Sequence, residues 1–430
     1  MSQRRTVVVR ALAILLVVMG VLVPVVPVVG PLTSDDVLPL AGILLTAFSV
    51  PRLRGRLVAD ATLWAFAAFV LATLISSLAN AESSGQFIRL VARSGGRLIF
   101  YVVLILVVRF LVSRGHWVQR ALAAFVCVGT AEALFSVTAF ITGYTGPYGI
   151  GVVGFRETSV LAGVNRVQGT FGGEQTTVGV AVYNPNFLAA YMVLCLPVTL
   201  GLFLFARRRA VRLVLALSMV AQIATLYATY TRAGFAALAF AGLAFGWLIG
   251  RRKLAAAVVI IGLSAALSMP SVRARFFNEK HDRYALYWAA GHILSEHALV
   301  GVGDGNYLKL IHNDLTYAKT PYGIATSTPH NSMLLTATTH GVLGGLAHLL
   351  LYAFVIATGV STIRRCRGRR SRYLAAGITA AFFGFLLQDQ SNNLAHVPIL
   401  ATQMWFLFAL LPLCSRQRLA WFLKERQPQR

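Results

Sequence analysis

The chain has 430 residues, 57% of them hydrophobic and 12% charged, with a mean hydropathy of +0.70. A soluble domain carries roughly 25% charged residues, so this composition excludes a water-soluble globular protein and predicts an integral membrane protein. The formal net charge of +25 would suit a nucleic-acid binder, but its distribution along the chain excludes that reading.

Twelve apolar stretches near the roughly 20 residues needed to cross a bilayer follow one another, at residues 7–29, 37–50, 61–79, 98–112, 118–142, 183–206, 211–229, 233–250, 254–269, 330–363, 373–388 and 397–414. No run of short alternating strands suggests a membrane barrel. The predicted fold is therefore an all-α integral membrane protein of about twelve transmembrane helices, forming one polytopic domain over residues 1–430. With the N-terminus in the cytoplasm, 27 of the 39 Lys and Arg fall in cytoplasmic segments, among them Arg52, Arg54 and Arg56, and Arg207, Arg208, Arg209 and Arg212. This is the positive-inside bias of a multi-pass protein, helped by anionic headgroups, and it puts both termini in the cytoplasm.

Two outward segments are long. Residues 143–182 are rich in Gly and Thr, and residues 270–329 form a large loop. Connections of such length are usually functional, and the cytoplasmic loops are too short to hold a catalytic unit, so any chemistry is expected on the outer face. Within the large loop, Glu279–Ala298 reads as an amphipathic helix, with Tyr284, Tyr287, Trp288, Ile293 and Leu294 giving an aromatic and apolar surface and Arg283 one turn from Tyr287. It is predicted to lie in the headgroup layer or to pack on the spans. Gly301-Val-Gly-Asp-Gly-Asn306 follows as a turn-rich segment; lacking a preceding strand and a following Lys, it is no phosphate loop.

Several residues on this face carry candidate chemistry. Arg232 sits at the outer junction of two spans, Arg283 opens the loop helix, and Arg166 precedes Asn184-Pro185-Asn186, which reads as a helix cap followed by a first-turn proline. Each arginine alone is explained by snorkelling or a local ion pair; three on one face would receive a diphosphate, because guanidinium forks match phosphate oxygens. His330 opens the apolar run 330–363 directly after the large loop. A helix N-terminus lowers an imidazole pKa and favours the neutral form that a general base requires. Asn331 and Asp389 are candidates to support it. Glu132 is the one acid inside a span, functional or simply hydrogen-bonded. The histidines lack metal-ligand spacing and no cofactor motif occurs, so neither metal nor cofactor is expected. Cys127, Cys195, Cys366 and Cys414 read as small apolar residues.

Taken in order, these motifs resemble the O-antigen ligase and polymerase family of bacterial membrane glycosyltransferases. His330-Asn331 followed by Gly341 and Gly344 resembles the family's His-Asn…Gly-x-x-Gly signature. Arg283, Trp288 and Gly301-Val-Gly resemble its Arg…Trp…Gly-Val-Gly run, and Thr231-Arg232-Ala233-Gly234 its Ser-Arg-Gly element, with Thr in place of Ser and Ala233 inserted. Arg166…Gly169-Thr-Phe and Asn184-Pro-Asn resemble its upstream element. The resemblance implies periplasmic loops at 143–182 and 270–329, a place in the bacterial inner membrane, and metal-independent, inverting transfer of a glycan from undecaprenyl diphosphate to a glycan or lipid-linked acceptor. It implies His330 as base and Arg232, Arg283 and Arg166 around the diphosphate. The competing expectation is a flippase or transporter of lipid-linked sugar. Polar groups at the bilayer midplane would favour that, but the candidates gather on one face.

Overall fold

The computed structural model describes residues 3–22, 27–29, 32–33, 37, 39–44, 61–81, 83–91, 95–112, 117–146, 150–154, 165–171, 184–268 and 283–416. The expected span at 37–50, most of the 143–182 loop and the first part of the 270–329 loop lie wholly or partly outside these residues. The described chain is predominantly helical: α1 (Gln3–Met19), α2 (Ala61–Asn80), α3 (Ser84–Leu90), α4 (Gly96–Leu111), α5 (Trp117–Thr142), α6 (Pro185–Phe205), α7 (Arg209–Ala228), α8 (Arg232–Leu248), α9 (Arg252–Ser268), α10 (Arg283–Glu296), α11 (Asn306–Asn313), α12 (Leu315–Ala318), α13 (Ser332–Arg365), α14 (Arg369–Asp389) and α15 (Pro398–Leu410). Among the described residues, six helical segments are long and apolar enough to cross a membrane, and the apolar helices Val7–Leu22 and Arg232–Leu248 are shorter. The protein is an all-α membrane protein.

Among the described residues, strands are confined to three antiparallel pairs that the apolar periodicity did not signal. They are β1 (Pro27–Val29) with β2 (Leu32–Thr33), β3 (Gly151–Gly154) with β4 (Asn165–Gly169), and β5 (Lys319–Thr320) with β6 (Gly323–Ile324).

α14 is the central helix. It packs along α6 and α8 and buries nearly its whole length. Between helices in lipid there is little hydrophobic driving force, so small residues that let backbones approach are favoured. A Cβ on Gly377 would stand 2.6 Å from the Pro197 carbonyl oxygen of α6, and one on Gly201 2.7 Å from that of Tyr373. α6 begins as its sequence predicts, with the Asn184 side chain accepting from the Asn186 N–H and Pro185 in the first turn. The starts of α6, α8 and α13 and the end of α14 share one end of the bundle: Asn186 bonds Asn392 just beyond α14, Thr231 bonds Asn186, and Ser332 bonds Asp389.

The expected span 330–363 differs in two respects. Its helix starts at Ser332, with Asn331 as the cap, so His330 stands just before the helix rather than in it. The helix is also broken at Gly341, which has φ 72° and ψ −177°. The break frees carbonyls that the loop collects. Val302 donates its N–H to the Thr338 oxygen at 3.0 Å, Gly303 to that of Thr339 at 2.9 Å, and Val342 to that of Ala298 at 2.8 Å. The Ser76 hydroxyl of α2 also donates to the Thr339 oxygen, and Asn80 to that of Gly301. The Gly-Val-Gly run is therefore a backbone crossing over a broken helix. A Cβ on Gly341 would collide with the backbone of Leu299, and one on Gly301 would lie 2.5 Å from the Gly341 nitrogen; both glycines have positive φ. The Gly341→Ala protein is expected to lose about 2–4 kcal/mol, combining backbone strain with collision. By contrast Gly262→Ala, which meets nothing within 4 Å on α9, should keep or slightly raise stability; thermal unfolding of both variants in detergent checks the pair.

Candidate functional site

His330 has φ 50°, a left-handed conformation rare for a residue with a side chain. The only other such residue among those described is Tyr230, at φ 49°, two positions before Arg232. Strained backbone of this kind persists only where its surroundings hold it.

The surroundings of His330 are specific. The Asn331 Oδ1 accepts the Leu334 N–H at 3.0 Å, while its Nδ2 donates to the side-chain oxygen of Gln390 at 3.2 Å and to that residue's backbone oxygen at 3.4 Å. Asp389 accepts from the Ser332 hydroxyl at 2.6 Å, from the Tyr352 hydroxyl at 2.5 Å and from the Ala395 N–H at 2.9 Å. The carboxylate thus joins the first residue of α13, a point further down the same helix and the turn after α14. Its acceptor sites are occupied, so it fixes the peptide that carries His330. The Ser327 hydroxyl lies 3.5 Å from the imidazole Nε2, and Asn393 holds the same loop through the Thr328 hydroxyl at 2.6 Å.

The structure brings Arg232, Arg283 and His330 together. Burial, and then the nearby Arg283 charge, lower the His330 imidazole pKa below its ordinary value. Arg283 also acts electrostatically on Arg232. All three side chains are half-buried. α10 is held over the site by the Tyr287 hydroxyl, which donates to the Gln390 backbone oxygen at 3.4 Å.

Arg166 has a different placement. Its Nε donates to the Thr229 backbone oxygen at 2.8 Å, and one terminal nitrogen lies 3.3 Å from both the Asn186 Oδ1 and the Thr231 hydroxyl. Asn186 in turn donates to Asn392 at 2.9 Å, and its backbone oxygen accepts from Gln388 at 3.0 Å. These bonds run into the strained turn Thr229–Thr231 that launches Arg232. Glu132 holds the other end of β4: its carboxylate accepts from the Thr170 N–H at 3.0 Å, the Thr170 hydroxyl at 2.8 Å and Ser136 at 3.2 Å. The acid inside the span is therefore a clamp that pins the hairpin carrying Arg166 onto α5.

In the sequence, His340 and His348 lie inside an apolar run, where packing is their default role, and His396 ends the last outward segment. Here the Thr336 hydroxyl lies 2.9 Å from His348 Nδ1 and 3.2 Å from His396 Nε2, and Phe69 packs against His340 and His348. The four-residue spacing of Thr336 and His340 was a usable signal; the approach of His348 across the break at Gly341, and of His396 from a separate turn, was not.

A family model described as O-antigen ligase matches residues 217–349. No curated protein matches the chain. The matched stretch contains Arg232, Arg283, His330 and Asn331 and both glycines of the crossing, while Arg166 and Asp389 lie outside it. Over residues 217–349, then, the chain is similar to the O-antigen ligase family.

Proposed function

We propose that this protein is a glycosyltransferase of the ligase or polymerase type, moving a glycan from undecaprenyl diphosphate to an acceptor hydroxyl at the outer face of the bacterial cytoplasmic membrane. The observation that supports the reading is that the Arg283 charge acts on both Arg232 and His330. Two guanidiniums that repel each other are a receptor for an anion, and a neutral imidazole beside them is a base for a neutral nucleophile. On this reading His330 takes the proton of the acceptor hydroxyl, whose oxygen attacks the anomeric carbon opposite the leaving group, so the configuration inverts. The bond to the diphosphate breaks, and Arg232 and Arg283 stabilise the charge it carries away, as fixed positive groups do for leaving phosphates. Arg166, Asn331 and Asp389 are assigned to positioning: the first supports the turn before Arg232, the others the peptide of His330.

His330→Ala should lower transfer at least about 100-fold, the lower range for loss of a general base, while thermal unfolding stays near that of the parent; unimpaired transfer would sink the base assignment. Arg283→Ala is expected to weaken binding of the lipid diphosphate donor, and Arg283→Lys to recover little of it because the fork is lost; equal affinity in native mass spectrometry would remove Arg283 from the site. The pH dependence follows from sign. The base works unprotonated, and burial and Arg283 lower its pKa. The acid limb of the kcat/KM profile, which reports the free enzyme, should therefore lie below the ordinary histidine value of about 6.5 and move upward in Arg283→Gln. With purified donor, a product ladder indicates polymerisation and a single added glycan indicates ligation.

A further inference from the structure

We infer that the outward side of α10 is a glycan-stacking rail that carries the sugars of the donor away from the diphosphate, an inference that rests on the function proposed above. The inner side of α10 is buried through Ala285, Leu286, Ala289, Ala290 and Ile293. Its other side presents Tyr284, Trp288 and His292, one turn apart in succession, beginning at the residue next to Arg283. Over eight residues of helix this row is about 12 Å long, enough for a short run of sugar rings. Tyr284 is 67% exposed and Tyr322, from the β5–β6 turn, 64%, and their rings lie 5.8 Å apart. The Trp288 and His292 rings are 5.0 Å apart, and those of His292 and Tyr317 5.5 Å. At the far end Glu296 accepts from the Tyr317 hydroxyl at 2.6 Å and lies 3.3 Å from His292.

A row that begins with the exposed rings of Tyr284 and Trp288 and runs on to the half-buried His292 is an unusual surface for water to cover. Aromatic faces that offer apolar area beside polar edges match the two-sided chemistry of a pyranose, whose C–H face stacks and whose hydroxyls hydrogen-bond. The carboxylate at the end of the row suits hydroxyls, and it disfavours an anionic headgroup. Continuity with the site decides the occupant. Arg283 sits at the diphosphate end, so the sugars attached there are the ones that meet Tyr284 next. Leu315 and Ile324 nearby are also exposed, which gives contact with lipid its substance as the competing outcome.

The test uses full-length protein in nanodiscs and measures binding of undecaprenyl diphosphate donors bearing one sugar or a full repeat unit. The parent is expected to bind the longer donor at least about tenfold more tightly, and the ratio should collapse toward one in Tyr284→Ala/Trp288→Ala. A parent ratio near one, or a ratio preserved in the double variant, overturns the rail. So does quenching by brominated lipid of the emission difference between the parent and Trp288→Phe, since that puts the indole in the bilayer. Transfer without a length-dependent ratio would refute the rail and leave the glycosyltransferase standing. A length-dependent ratio lost in the double variant, in a protein that transfers nothing, would refute the enzyme and leave the rail.

Discussion

The site depends on one backbone crossing. α13 is broken at Gly341, and the loop glycines Gly301 and Gly303 pass over the break closely enough for the Val302 and Gly303 N–H groups to take its open carbonyls. In a low-dielectric setting an open carbonyl is costly, so this geometry is self-enforcing: the broken helix needs the loop, and the loop is fixed on the helix by it. Ser76 and Asn80 of α2 tie the same point to the bundle. A loop fixed at Gly301 carries α10 immediately before it, and α10 carries Arg283. The first segment of α13 carries Asn331 and, just before it, His330. One crossing of chains thus sets the separation of the arginine from the histidine.

A second constraint acts on the peptides themselves. Left-handed backbone at His330 and Tyr230 costs about 1–3 kcal/mol at each residue. Each is held by polar groups from elsewhere in the chain: buried Asp389 with Gln390 behind His330, and half-buried Arg166 with Asn186 behind the turn at Tyr230. The two networks meet through the loop after α14, where Asn392 bonds Asn186 and Gln388 bonds its backbone. The tight packing of α14 on α6 and α8 keeps these anchors in register, so the rigid centre of the bundle sets the position of groups at its end.

Much of this was legible in the sequence, for reasons that differ by residue. Long apolar runs located the helices because lipid leaves backbone polar groups no other partner. Asn184-Pro185 and Asn331 announced helix starts because caps are local chemistry. The loop helix was visible in Tyr284, Trp288 and Arg283. The break at Gly341 was not, since glycine inside an apolar run is ordinary in membrane helices and its meaning lies in Leu299, forty-two positions earlier in the chain. Nor could spacing reveal that Arg166 is bonded into a turn, that Glu132 clamps a hairpin, or that Asp389 is filled by Ser332, Tyr352 and Ala395. Those are long-range contacts, and a polar residue's sequence neighbourhood says little about which distant donors reach it. The hairpins β3–β4 and β5–β6 were missed because strands this short carry no periodicity to read.

The pairing of Arg283 with His330 has a consequence for the order of events under the proposed function. In the unliganded protein burial, and then the Arg283 charge, hold the imidazole pKa down, which keeps it neutral but also makes it a weaker proton acceptor. A diphosphate seated on Arg283 and Arg232 brings negative charge to the same place, relieves the repulsion between the guanidiniums and reverses the sign of the field at His330. The imidazole then becomes more basic because the donor has arrived. When the glycan leaves and the free diphosphate departs, the field reverts and the protonated imidazole is pressed to release its proton. Donor binding and base strength are thereby linked through one guanidinium, and the linkage is reciprocal. A protonated His330 would favour the anionic donor, and a bound donor would favour protonation, so the acceptor hydroxyl meets a strong base only when there is a glycan to receive.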